Sequence, residues 1–329
     1  MYFCIINITH LFKNLLNLLI MIAYWKYDEI YKEVNEWESG CWIRVTNPTA
    51  EELQLMKQRW DVPLDFIHDA EDADERPRLD QEDEWLTTIV RVPSSSIDKD
   101  GDTVFHTRPL AILLNNEVFI TVSFFDNEVL TDFIKWSNRR RQPERRNHDM
   151  MLSILLSSSV WYLKYLKQMN TMMKIAEERL EKSMDNDELQ KMMSLDKYLI
   201  YFITSLRGNE MVLMRLKKVL RTVTYDEDLL DDVEIEMQQA YDTASIYSRI
   251  LDRQQSAYSS IIGNNMNVIM RTLTVITIIL MVPTGIAGFY GMNVPNGMES
   301  WRWGFLFSIL VSIILSILIY VYLKRKRLI

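Results

Sequence analysis

Thr272-Leu-Thr-Val-Ile-Thr-Ile-Ile-Leu-Met-Val-Pro-Thr-Gly-Ile-Ala-Gly-Phe-Tyr-Gly-Met-Asn293 decides the reading of this chain. The stretch from Thr272 to Tyr290 carries no charge, and neither does Phe305 to Leu323. Each approaches the roughly 20 apolar residues a helix needs to cross the bilayer core. The short loop between them makes a membrane hairpin. Gly291, Met292 and Asn293 then fall at its mouth, where they supply a small backbone turn and a neutral amide oxygen. Those groups suit a cation that keeps its water.

Working outward, the basic run Lys324-Arg325-Lys326-Arg327 follows the second segment directly. Such clusters stay on the cytoplasmic side. A hairpin returns to the side it left, so both termini and the large N-terminal part are expected in the cytoplasm, with the chain in the cell membrane. The net charge of -8 over 329 residues argues against a nucleic-acid partner. Cys4 and Cys41 are too few for a disulfide framework or a thiolate metal site. The four histidines, His10, His68, His106 and His148, show no ligand spacing. No Gly-rich phosphate loop, dinucleotide fingerprint or Ser-His-Asp signature is present, so a membrane-tethered enzyme is a poor reading.

The N-terminal stretch Phe3 to Trp25 is apolar-rich, but His10, Lys13 and three asparagines interrupt it and no small-residue cleavage site follows. Residues 1–20 read as an overextended start or a mobile amphipathic leader, with a third span as the alternative. Residues 21–147 alternate strand and helix signals, giving an α/β cytoplasmic domain. In it Cys41-Trp-Ile-Arg-Val-Thr reads as a strand, Thr49-Ala-Glu-Glu52 as a capping box opening a helix through Trp60, and Asn115-Asn116-Glu117 as a hairpin turn. Residues 148–225 read as an antiparallel pair of long helices, with Arg207-Gly208-Asn209 expected to loosen the second. Residues 226–290 form one stalk helix continuing into the first span, 291–303 an external loop, and 304–329 the second span and basic tail. A stalk of sixty-odd residues would be roughly 90–100 Å long. Its seam Val233, Met237, Ala240, Ala244, Tyr247, Leu251 serves packing against the helical pair, against other subunits, or both.

On the first span Asn267, Met270, Leu273, Thr277, Met281, Thr284 and Gly288 recur at threes and fours. This stripe mixes amides and hydroxyls with apolar groups and excludes charge. Helix packing accounts for such a stripe as well as a water-filled path does. If it lines a pore, two spans per chain demand a ring of subunits. Met270 and Leu273 would then gate by dewetting, and Asn267 and Thr284 would offer neutral oxygens. Glu299 in the loop would raise the local cation concentration from outside.

The run Thr284 to Asn293, with Met298-Glu299 and Trp301-Arg-Trp303-Gly304 after it, resembles the CorA magnesium transporters across the whole architecture. The resemblance implies a homopentameric channel that passes Mg²⁺, with Co²⁺ or Ni²⁺ as further cargo. It implies a selectivity site at Gly291, Met292 and Asn293, the stripe as pore lining, and Lys324 to Arg327 as a basic collar. Zinc-exporting relatives typically carry Val where this chain has Met292. The family's cytoplasmic Mg²⁺ sensing implies a regulatory carboxylate pair between subunits, Asp69 with Asp232. His68 stands where an acid is often found, and the loop from Val294 departs from the family's usual aromatic-acidic start. The alternative reading is a membrane-anchored metal sensor that does not conduct; without the family, the acidic runs at 69–75 and 228–234 read as solvated faces.

Overall fold

The structure, a computed structural model, describes residues 22–82, 84–140, 146–182, 186–292 and 301–326. The leader at 1–20 therefore lies outside the described residues. The chain divides into two compact units, one running to Asp252 and the other from Arg253.

The first unit is built on a seven-stranded mixed sheet in the order β2-β1-β3-β7-β6-β5-β4. Its strands are β1 (Ile22–Asp28), β2 (Ile30–Val34), β3 (Trp42–Thr46), β4 (Arg78–Glu82), β5 (Trp85–Ile97), β6 (Thr103–Leu114) and β7 (Phe119–Ser123). Only β3 and β7 pair in parallel; the other neighbours are antiparallel. One face of the sheet packs Ile43, Val45, Ile89, Leu113 and Ile120 against Met56 of α1 (Ala50–Trp60) and Ile67 of α2 (Leu64–Asp69). The other face meets α3 (Glu128–Arg140), α4 (Asn147–Lys182) and α5 (Asn186–Leu220). There Trp42 packs edge-on to Phe133 at 5.9 Å between ring centroids, and Phe105 to Tyr165 at 5.3 Å. Cover on both faces is why the middle strands read as near-continuous apolar runs rather than alternating ones.

The expected capping box forms: the Glu52 amide donates to Thr49 Oγ1 at 3.3 Å and the Thr49 amide donates to Glu52 Oε2 at 2.8 Å. The hairpin at Asn115 forms as well, with Asn115 Oδ1 accepting from the amides of Glu117 and Val118.

The expectation that Arg207-Gly208-Asn209 loosens the second long helix is overturned. α5 is continuous there, and Gly208 and Asn209 pack against Pro77 and Arg91. A Cβ on Gly208 would stand 2.7 Å from Pro77 Cγ, so only glycine admits the proline ring. Buried Asn209 behaves like one residue of a strand: its Oδ1 accepts from the Arg91 amide at 2.9 Å and its Nδ2 donates to the Arg91 carbonyl at 2.7 Å. The strand β4 ends at Arg78, opposite Ile89, leaving that edge of β5 without a ladder partner beyond it. Pro93 has the same parity as Arg91, so its missing N–H falls on the vacated edge and costs the ladder nothing. Pro109 is tolerated for a similar reason, because β6 pairs with β7 only from Ala111 onward.

The helix α6 (Glu227–Tyr290) is common to both units. In the first unit Val233, Met237, Ala240, Ala244 and Leu251 are buried. An ion pair from Lys217 to Glu234 and a 3.3 Å hydrogen bond from Ser248 to Asp196 tie this part of α6 to α5. The seam thus serves packing within the chain. On the opposite side of the same helix Ile235 and Ile246 are exposed, with exposed Ile250 on the flank.

Candidate functional site

The second unit contains the end of α6 and the helix α7 (Gly304–Arg325), both long and apolar enough to span a membrane. At 1.5 Å per residue α7 extends for roughly 33 Å, slightly more than a hydrocarbon core. Exposed Trp301 and Trp303 stand at its start, and Lys324 and Arg325 occupy its last turn. Amphipathic aromatics at one end and cations at the other are what a spanning helix places at two interfaces.

The two helices bury a particular face of α6. Val275 is buried, and Ile279, Val282 and Ile286 are half-buried, four positions spaced by threes and fours. At 100° per residue Leu273, Thr277 and Thr284 point within about 20° of the opposite direction, and Met270, Met281 and Gly288 lie about 40–60° from it. Asn267 lies about 100° from it, toward the flank of the helix. All seven are exposed, with Met270, Leu273 and Met281 more than half so. The near-heptad spacing makes the stripe wind slowly about the helix, as a seam between supercoiled helices does. Packing between the two spans therefore does not account for it.

The polar groups on this stripe have a defined orientation. Thr277 Oγ1 donates to the Leu273 carbonyl at 2.8 Å and Thr284 Oγ1 to the Leu280 carbonyl at 2.9 Å. Each hydroxyl proton is spent inside the helix, so each oxygen presents lone pairs outward. A hydrated cation presents water hydrogens outward, and acceptors without protons match it.

At the outer end the Gly291 amide donates to the Ala287 carbonyl at 2.9 Å, and the Met292 amide to the Phe289 carbonyl at 3.4 Å, closing the helix. Met292 is exposed immediately beyond. Asn293 and Glu299 lie outside the described residues, as does Arg327 of the basic run. Lys324 and Lys326 are described, and Lys324 Nζ stands 5.9 Å from the Tyr320 ring centroid.

The two carboxylates of the expected regulatory pair are not joined within the chain. Asp69 accepts from Arg78 Nη2 at 2.5 Å, and the same guanidinium holds Glu75 and, at 3.0 Å, Asp80. Sequence reading missed this Arg78 clamp, because nothing in an acidic run announces which cation folds back onto it. Asp232 is exposed on α6. Among the described residues no group of three or more His, Cys, Asp or Glu side chains could hold a metal ion. Asp196, half-buried between α5 and α6, has its carboxyl pushed up by burial and by the charge of Asp252.

Residues 37–325 match the family described as CorA-like Mg²⁺ transporter protein. The chain belongs to this family. Membership marks a transporter rather than an enzyme. The cobalt/magnesium transport protein CorA of Methanocaldococcus jannaschii is 25% identical over 293 residues, 87% of this chain and 90% of that protein. The magnesium transport protein CorA of Helicobacter pylori is 23% identical over 292 residues, 87% of this chain and 89% of its own length. Among solved structures, the complete CorA magnesium transporter of M. jannaschii superposes with a TM-score of 0.76 at 21% identity, covering 93% of this chain and 98% of that one. The full-length CmaX protein gives 0.65 at 14% identity, covering 94% and 97%. At those identities the two structures establish a shared CorA-like fold: the α/β domain, the long helix and the C-terminal span.

Proposed function

We propose that this protein carries divalent cations, chiefly Mg²⁺ with Co²⁺ or Ni²⁺ as further cargo, passively across the cell membrane through a pore formed by a ring of its own copies. One observation carries the reading. The charge-free stripe from Met270 to Gly288 is exposed on the side of α6 facing away from its partner span, with hydroxyl lone pairs turned outward. A membrane anchor has no use for such a face. A ring converts it into successive collars of Met, Leu and Thr around an axis. The exposed Ile235 and Ile246, opposite the buried seam, supply a second apolar face for neighbouring copies. Family membership and the relatives named as cobalt/magnesium and magnesium transport proteins support the cargo, and the CorA resemblance implies five copies in the ring.

In this reading Gly291, Met292 and Asn293 select the ion at the external mouth and Glu299 concentrates cations there. Lys324 to Arg327 form a basic collar on the cytoplasmic side, where both termini lie. Full-length protein in proteoliposomes should take up Mg²⁺ in proportion to an inside-negative potential, without ATP. Uptake no greater than in empty vesicles would favour the non-conducting sensor.

Regulation is placed at Asp69 and Asp232 of adjacent copies, with bound Mg²⁺ screening the facing carboxylates and holding the ring closed. The Arg78 clamp limits this site, since Mg²⁺ must compete with a guanidinium already on Asp69. Asp232→Lys should keep uptake high when internal Mg²⁺ is raised to levels that shut the native protein. Native-like inhibition in that variant would remove the site.

A further inference from the structure

Pro283 sits inside α6, in the span and between Met281 and Thr284 of the stripe. Proline has no N–H, so the carbonyl four residues earlier, that of Ile279, loses its helical donor, and the pyrrolidine ring crowds that same carbonyl. In water such an oxygen would be solvated. In hydrocarbon it has no substitute, and an orphaned carbonyl there is costly. Ser316 of α7 answers it: its Oγ donates to the Ile279 carbonyl at 3.4 Å. Two further serines share that face of α7, but Ser308 donates to Gly304 at 2.7 Å and Ser312 to Ser308 at 2.8 Å, both within their own helix. Ser316 is the one whose bond crosses to the other span.

We infer that Ser316 is a positioning residue: its hydroxyl replaces the hydrogen bond that Pro283 removes, and so fixes the register and direction of the first span at the break. The bond stands next to a cleft of about 580 Å³ lined by Pro283, Ile286, Ser312 and Ser316, where the two helices do not interlock closely. A polar tether matters most where apolar packing is loose. This bond joins the two spans one turn from Met281 and Thr284, so their geometry follows it. That last consequence rests on the conduction reading; the bond itself does not.

The test is a double-mutant cycle on the full-length protein, reading thermal unfolding in detergent and Mg²⁺ uptake in proteoliposomes. Ser316→Ala should lower the unfolding midpoint by about 2 °C and slow uptake roughly threefold, the factor for a typical bond between membrane helices. Ser316→Thr should restore both, because it keeps the hydroxyl. In the Pro283→Ala background the restored N–H takes the Ile279 carbonyl, so Ser316→Ala should then leave the midpoint unchanged. Equal shifts in the two backgrounds would overturn the inference, as would failure of Ser316→Thr to rescue. A coupled cycle in a protein that takes up no Mg²⁺ would instead overturn conduction and leave the tether standing.

Discussion

Thr277→Lys should abolish Mg²⁺ uptake while leaving the subunits assembled. Thr277 is exposed, nearly opposite buried Val275, and its hydroxyl proton is bound within the helix. If that face lines the path, the substitution adds one ammonium per subunit to a throat without charge. A dication about 6 Å from one ammonium, at an effective dielectric of about 20, meets roughly 5 kcal/mol of repulsion, and a ring multiplies the encounter. Uptake should fall at least about a thousandfold. Thr277→Val nearly keeps the shape and removes the hydroxyl, both its outward acceptor and its bond to the Leu273 carbonyl, without adding charge, so its loss should stay within roughly tenfold. Size-exclusion of the solubilised protein separates the two accounts of the stripe. An intact oligomer without uptake marks a conducting face. A dissociated oligomer marks a face buried between helices. Native uptake through Thr277→Lys would remove the stripe from the path altogether.

Much of this architecture is legible without coordinates, for reasons that differ by element. Charge-free segments announce themselves because each ionised group at bilayer depth is so costly. The helix at Ala50 is legible because its cap is local: Thr49 and Glu52 need only each other. The strand β4 is not legible. Arg78-Leu-Asp-Gln-Glu82 has one buried residue, Leu79, and becomes a strand by pairing with β5 at the sheet edge. The strands β5 and β6 run through Pro93 and Pro109, which in sequence look like breaks. Their cost depends on whether a neighbouring strand is present at that position, and that is a tertiary fact. Gly208 misleads in the same way, since a glycine that admits Pro77 reads like a glycine that weakens a helix.

The site divides along the same line. Spacing alone puts the stripe on one side of α6, but only the register of the hairpin shows that Val275, Ile279, Val282 and Ile286 occupy the packed side. Pro283 is visible in sequence as a missing donor. That Ser316 supplies the substitute is not, because the two lie on different helices whose relative height the loop does not encode. The proposed regulatory pair would depend on contacts between copies, and within one chain Asp69 pairs with Arg78.

Asn293→Ala should reduce Mg²⁺ uptake by roughly 10- to 100-fold, the cost of removing a neutral acceptor from a charge-assisted contact. Mg²⁺ releases water reluctantly and holds it in an octahedron at about 2.0–2.1 Å, so a site that must bind and release it quickly does best to address those waters. An amide oxygen accepts from them without adding charge. Gly291 and Met292 end the helix immediately before Asn293, with their amides returned to Ala287 and Phe289. Those two N–H groups are therefore not directed at the ion, and in the proposed reading the neutral acceptor at the next position would carry the contact. Asn293→Asp sharpens the argument, because it keeps the shape and adds a full negative charge. Apparent affinity for Mg²⁺ should rise and maximal uptake should fall, as a carboxylate holds the ion it ought to pass on. The two variants thus move affinity and maximal rate in different combinations, which general damage to the mouth would not produce. Undiminished uptake in Asn293→Ala would place ion selection elsewhere on the path, and the Thr277 and Thr284 oxygens would then be the remaining neutral acceptors on the stripe outside Asn267.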